Sequence, residues 1–126
     1  MNTKQREMDS IEIVEIVDQI EKPLSQAKKN LISIKNDKEI STIKEAKKLI
    51  EKIDGNLSDI TTKMKEFKTG GPLTINDLGD DVKKMSSNAQ EFKKELKKTR
   101  IDQFSRMNVA SLALNAKQIK NITNKR

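Results

Sequence analysis

The chain has 126 residues, of which 33% are hydrophobic and 36% charged, and its formal net charge is +7. This length fits one domain, and the composition favours slender helices with narrow apolar stripes over a globule with several buried layers. Without cysteine or histidine the chain can form neither disulfides nor thiolate metal sites, and it lacks the commonest general base, so we expect a non-enzymatic protein without a cofactor.

The first helix is predicted over residues 9–35, after a disordered N-terminus at residues 1–8. Asp9 followed by Glu12 has the spacing of a capping box. Steps of four and three residues then place an apolar stripe on one helix face: Ile13, Val17, Ile20, Leu24, Ala27, Leu31 and Ile34. Glu12, Glu15 and Asp18 interrupt the apolar run between residues 11 and 20, which argues against the uncharged core of a signal peptide. We therefore expect a protein that is cytoplasmic or exported by a signal-peptide-independent route.

A second helix is predicted over residues 37–69, following a turn at Asn36-Asp37. Its stripe is Ile43, Ala46, Ile50, Ile53, Leu57, Ile60, Met64 and Phe67. Gly70, Gly71 and Pro72 end it, because glycine takes the left-handed position after a helix and proline prevents continuation. One helix running through residues 36–39 is the alternative, but the stripe loses its phase there.

A third helix is predicted over residues 74–100. Its stripe is Ile75, Leu78, Val82, Met85, Ala89, Phe92 and Leu96. Short connections between helices of similar length favour antiparallel neighbours, so residues 9–100 are predicted to form an all-α, up-down-up bundle of three helices. Asp77, Asp80 and Asp81 could bind a divalent cation, but acids in a first helical turn more often complement the helix dipole.

Residues 101–126 are predicted to form a basic amphipathic helical segment, with its helix at about residues 100–122. Thr99 and Asp102 could cap a new helix, so the segment either projects from the bundle as an extension or folds back as a fourth helix. Its apolar surface must be buried against the bundle, a partner or a membrane surface. The residues predicted to bind a partner are Ile101, Phe104, Met107, Leu112, Leu114, Ile119 and Ile122.

The excess positive charge lies in the same segment, because residues 99–126 contain six basic residues and one acidic residue. The predicted basic patch consists of Arg100, Arg106, Lys117 and Lys120. Such a patch could hold nucleic acid weakly and without sequence preference. The lysine pairs of the other helices are mostly interleaved with glutamate, which is typical of a solvated helix face.

Two residues interrupt the helical pattern. Pro23 should bend the first helix, and Gly55 should weaken the second or mark a turn that splits it. A simple hairpin register places both at one height, level with Ser86 and Ser87 of the third helix. The sequence thus predicts a waist at this height, for which a shared bend without function is the favoured interpretation and a hinge or docking notch the alternative.

A small, cysteine-free protein of paired helices with no signal peptide resembles the secreted partners and accessory proteins of type VII secretion. These include the Trp-x-Gly hairpin proteins and the helical proteins that pair with LxG-type effector domains. The resemblance covers residues 9–100 as architecture, and the Trp-x-Gly turn is absent because the chain has no tryptophan. It implies a role in pairing with a larger helical protein.

We therefore expect a non-catalytic module that binds another helical protein or a second copy of itself. The main alternative is a basic accessory protein that binds nucleic acid non-specifically through its C-terminal segment. Peripheral contact with a membrane through the same segment is a further possibility, and no transmembrane segment is predicted.

Overall fold

A computed structural model describes residues 10–71 and 75–124, and every regular element in these ranges is an α-helix. The helices are α1 (Ser10–Lys35), α2 (Lys38–Ser41), α3 (Lys44–Lys68), α4 (Ile75–Lys97) and α5 (Gln103–Thr123). The all-α fold class predicted from the sequence is therefore confirmed. The predicted disorder of residues 1–8 lies outside the described residues.

The four long helices form an antiparallel bundle around one core. α1 packs along α5, α5 along α4, and α4 along α3, while the side between α1 and α3 is the most open. Nearly every residue of the three predicted stripes is buried in this core, with Ile43 and Phe67 half-buried at its edge. The side chain of Ile75 lies outside the described set. The spacing of apolar residues thus identifies correctly which face of each helix points inward.

The structure corrects the prediction of a continuous second helix over residues 37–69. The Asp37 carboxylate caps the one-turn helix α2 by accepting hydrogen bonds from the backbone N–H groups of Glu39 (2.9 Å) and Ile40 (3.2 Å). The hydroxyl of Thr42 then donates to the Glu39 carbonyl at 2.8 Å, and α3 begins at Lys44. The break lets Ile40 fill the core at the end of the bundle, where it is 0% exposed.

α3 ends as predicted at the two glycines. Gly70 has φ +98°, and its N–H donates to the carbonyl of Phe67 at 3.1 Å. The N–H of Gly71 donates to the carbonyl of Glu66 at 2.8 Å. This pair of bonds is a Schellman motif, which satisfies carbonyls that the end of a helix would otherwise leave open.

Of the two alternatives for the C-terminal segment, the structure shows the second, because α5 folds back as the fourth helix, and the separate three-helix bundle with a projecting extension is not confirmed. α4 ends at Lys97, three residues before the predicted end, and the Thr99 hydroxyl donates to the carbonyl of Leu96 at 3.1 Å. Asp102 then starts α5 by accepting a hydrogen bond from Ser105 N–H at 2.9 Å. α5 occupies the position between α1 and α4, so the bundle is incomplete without it.

Candidate functional site

The start of α5 is fixed by contacts with the corner around α2. The N–H of Asp102 donates to the Glu39 carboxylate at 2.9 Å, and the buried Ser105 hydroxyl donates to the carboxylate of Asp37. Asp37 thus caps α2 with one oxygen and holds α5 with the other. These contacts set the direction in which α5 leaves its turn.

Amide side chains hold the middle of α5 against its two neighbours. Asn115 is 6% exposed and accepts a hydrogen bond from Asn30 of α1 at 2.8 Å. Its own amide nitrogen donates to Gln26 at 3.3 Å, while Gln90 of α4 donates to the carbonyl of Ala113 at 3.2 Å. The buried amide of Asn115 favours one register over others, because a shifted helix would leave it unpaired.

The residues predicted to bind a partner divide into two sets. Leu112 and Ile119 are 0% exposed and belong to the bundle's own core, which corrects their assignment to a partner. Ile101 and Ile122 are half-buried at the edge of that core. The residues that remain open are Phe104 (69% exposed), Met107 (57%) and Leu114 (56%).

These three side chains lie on an uncharged surface of α5, which we call the outer face. It consists of Gln103, Phe104, Met107, Ala110, Ser111, Leu114, Gln118 and Asn121. The steps from residue 104 through 107, 111 and 114 to 118 alternate between three and four, as in the core stripes. Among the side chains that the structure describes, the other large apolar ones that are exposed are Val14 and Ile32, which are 18 residues apart on α1 and do not form a patch.

The four residues of the predicted basic patch do not form one site. The Arg106 guanidinium donates to the carbonyl of Thr99 at 2.8 Å, and Arg100 lines a small groove of about 330 Å³ beside α2. Lys117 and Lys120 lie 11 and 14 residues beyond Arg106, so at least about 16 Å of helix separates the two pairs. The basic patch therefore divides between the two ends of α5.

Lys120 instead joins lysines of two other helices along a groove of about 940 Å³. We call this the basic groove, and its lysines are Lys52 of α3, Lys83, Lys84 and Lys94 of α4, and Lys120 of α5. Glu91 is the acidic residue in its lining. Sequence reasoning missed this site, because the lysines outside α5 looked like parts of ordinary solvated faces, and only the packing of α4 between α3 and α5 brings them together.

The structure does not place Pro23 and Gly55 at one height. Ion pairs join Lys35 to Asp54 at 2.9 Å and Lys68 to Glu21, and they place Gly55 level with residue 34 of α1. Pro23 is therefore about 16 Å away along the axis. The reason is that α2 and its flanking residues lengthen the first connection, which shifts the register of α3 against α1.

α1 is continuous through Pro23 and α3 is continuous through Gly55, so neither a split at Gly55 nor a common waist is present. The predicted alignment of Gly55 with α4 is supported by its neighbour Asn56, which accepts a hydrogen bond from Asn88 at 2.8 Å. Ser86 is buried and Ser87 exposed, and both line the basic groove.

Two residues of the acidic cluster at the start of α4 have a structural role: Asp81 in an ion pair and Asp77 at the positive end of the helix dipole. Asp81 is 8% exposed, and its Oδ2 lies 2.7 Å from Nζ of Lys63. Asp77 lies in the first turn of α4, where the helix dipole favours a negative charge. Across residues 10–71 and 75–124 no group of three acidic, histidine or cysteine side chains is arranged to hold a metal ion.

The fold and the site together define a four-helix bundle with one uncharged, partly apolar outer face and one basic groove. No family model, curated protein or solved structure matches the chain. Within the described ranges no helix combines the length and the apolar character needed to cross a bilayer.

Proposed function

We propose that the protein is a non-catalytic helical module that binds a larger helical protein through the outer face of α5. The observation that supports this proposal is the exposure of Phe104, Met107 and Leu114 on one face of α5, which is bordered on one side by Arg106 and Lys117. The other long helices place their regularly spaced large apolar residues in the core. Burying these three side chains against a partner would contribute a favourable free energy of about 25 cal/mol per Å² of apolar surface removed from water.

The spacing of the outer face suits a helix as the occupant. Its residues repeat in steps of three and four, which is the pattern that two packed helices present to each other. Ser111 and Gln118 alternate with the large side chains, so a partner helix could insert its own apolar side chains between them. An amphipathic helix with residues at i, i+3, i+4 and i+7 is the recognition mode that fits.

Charge argues for a different protein rather than a second copy. α5 contains Arg106, Lys117 and Lys120 and no acidic residue. Two copies of α5 packed through their outer faces would bring Arg106 and Lys117, which border that face, close to the same cations of the second copy without a compensating charge. Like charges at an interface cost free energy and select against that pairing.

We further propose that this partner is a larger helical protein of the secreted-effector type, for which the protein would be an accessory or targeting subunit. The resemblance in architecture to the partners of type VII secretion supports this role, together with an open helix face next to a complete bundle. Genes adjacent to the one encoding this chain provide a direct check. A neighbouring gene for a toxin with a helical N-terminus agrees with the proposal, whereas a replication or mobilisation gene contradicts it.

The binding role is tested by photo-cross-linking in cells. A photoreactive amino acid replaces Met107 on the outer face, and in a control protein it replaces Ser58, which is exposed on α3. We expect a cross-linked helical protein from position 107 that is absent from position 58. Replacing Phe104 and Leu114 with glutamine should abolish this product. Equal products from both positions, or a product containing only this chain, would contradict the proposal.

Nucleic-acid binding is the second candidate, and the observation that favours it is the cluster of lysines around Lys120. It predicts an affinity that falls steeply with salt concentration, because each contact with a phosphate releases counterions. The absence of binding to an oligonucleotide at about 50 mM salt would eliminate it.

A further inference from the structure

We infer that the basic groove binds an acidic segment of the same protein partner, next to the helix that covers the outer face. This inference rests on the proposed function, because it assigns the charge of the partner. Five lysines from three helices surround the groove. The partner that fits them carries glutamate or aspartate on the flank that faces α4.

Within residues 10–71 and 75–124, no ion pair joins a lysine of the basic groove to a carboxylate. Across residues 10–71 and 75–124 the ion pairs formed by lysine involve Lys35, Lys63, Lys68 and Lys98, and none of these lines the groove. Glu91 is the single acid in the lining against five cations. Lysines therefore outnumber carboxylates in the lining, and an acidic occupant would lower the repulsion among the lysines.

The amide side chains that lie between the lysines already form hydrogen bonds with neighbouring helices of the bundle. Asn88 donates to Asn56 at 2.8 Å, which joins α4 to α3, and Gln90 donates to Ala113 of α5 at 3.2 Å. These bonds fix the spacing of the three helices. Ser86 and Ser87 are small and leave space along α4 between the longer lysine side chains. The groove is therefore fitted to recognise negative charge rather than a detailed pattern of hydrogen bonds.

The residue types favour carboxylates of a protein over nucleic acid. The lining contains no aromatic residue and no arginine. Single-stranded nucleic acid binds by stacking on aromatic side chains and arginine, and arginine matches the geometry of phosphate with two parallel hydrogen bonds. Lysine is a flexible point charge that pairs with a single carboxylate without the fixed two-bond geometry of arginine.

The position of the groove connects it to the outer face. Lys120 is on α5 and lines the groove, so a segment that leaves the outer face toward α4 passes over the lysines. Lys83 and Lys94 are about 16 Å apart along α4, which is the length of three helical turns. An acidic segment of about ten helical residues would span this distance.

The test uses the full chain and a fluorescein-labelled helical peptide of about 20 residues with glutamate at every third or fourth position. Binding is followed by fluorescence anisotropy at about 50 mM salt. We expect the Lys83→Gln, Lys84→Gln, Lys94→Gln triple variant to bind about tenfold more weakly than the unchanged chain. A matched variant removes three exposed lysines outside the groove: Lys29→Gln, Lys44→Gln and Lys47→Gln. It should stay within about twofold of the unchanged chain.

Three results would overturn the inference. They are equal weakening in both triple variants, no binding of the glutamate peptide, and tighter binding of a single-stranded oligothymidylate than of the peptide. A variant with glutamine at Phe104, Met107 and Leu114 keeps all five lysines and should bind the peptide normally. A negative result in the peptide assay would therefore contradict the groove inference without affecting the proposal for the outer face. A negative cross-linking result would contradict the outer-face proposal, and the affinity of the groove for acidic peptides could still be measured.

Discussion

At the scale of single residues, the end of α3 depends on two glycines for different reasons. Gly70 has φ +98°, a conformation that costs a residue with a side chain roughly 1–2 kcal/mol. A Cβ atom on Gly71 would lie 2.9 Å from the backbone oxygen of Glu66. Gly55, by contrast, has no atom within 4 Å of the position that a Cβ would take, and it lies inside a helix.

These environments predict opposite effects of alanine. Gly70→Ala and Gly71→Ala should each lower the free energy of unfolding by about 1–2 kcal/mol. Gly55→Ala should raise it by about 0.5–1 kcal/mol, because alanine stabilises a helix interior relative to glycine. Urea unfolding followed by circular dichroism measures all three. A loss of stability in Gly55→Ala would show that α3 is not a regular helix at this position.

The buried carboxylate of Asp81 makes stability depend on Lys63. The hydrogen bond with Asp81 is the main reason why the pKa of the Lys63 ammonium lies above its ordinary value of 10.5, and the charges of Asp77 and Asp59 add to it. Because the pKa is raised in the folded state, the stabilisation is complete below about pH 10.5 and is lost as the pH rises through the folded value.

Lys63→Met should lower the free energy of unfolding at pH 7 by about 1–3 kcal/mol, because Asp81 is left buried and unpaired. Urea unfolding between pH 9 and pH 12 provides the second readout. The wild-type chain should lose more stability over this range than the variant does. If the free energy of unfolding of the two proteins changed with pH in the same way, the ion pair between Lys63 and Asp81 would not contribute to stability.

At the scale of elements, the helices follow directly from the sequence, but their ends follow only in part. The stripes of α1, α3 and α4 were correctly predicted because apolar spacing is a local property of each segment. The separate helix α2 was missed because the sequence Asn36-Asp37 indicates only a turn and because Ile40 falls outside the phase of either neighbouring stripe. The long-range contact of Asp37 with Ser105 has no local signal.

For α5, the spacing of apolar residues in the sequence was not enough to predict which of them are buried and which are exposed. Leu112 and Leu114 are both apolar residues of one amphipathic segment, and only the packed structure shows that the first is 0% and the second 56% exposed. Leu112→Ala should therefore cost about 2–4 kcal/mol of stability, whereas Leu114→Ala should cost less than about 0.5 kcal/mol. Thermal unfolding of the two variants gives the comparison, and equal losses would contradict the orientation of α5.

Deleting residues 103–126 is consequently a poor test of binding, because it would expose the core surfaces of α1 and α4 that α5 covers. Surface substitutions on the outer face separate binding from folding. The pair Leu112 and Leu114 supplies the control, since one reports on stability and the other on the partner.

At the scale of the whole molecule, charge is organised by the fold and not by position along the chain. The excess of positive charge in residues 99–126 predicted a patch confined to that segment. Packing instead joins Lys120 to lysines of α3 and α4 and leaves Arg106 near the start of α5. No rule applied to one segment at a time finds such a groove, because its members are up to 68 positions apart in the chain.

The most direct test of the account is the affinity of the purified chain for the protein identified by cross-linking, measured by isothermal titration calorimetry. The account predicts a negative heat-capacity change, and a loss of at least about tenfold in affinity when Phe104, Met107 and Leu114 are replaced by glutamine. The variant's melting temperature should stay within a few degrees of that of the wild-type chain, because these side chains are exposed. An unchanged affinity in a folded variant would contradict the assignment of the outer face as the docking surface.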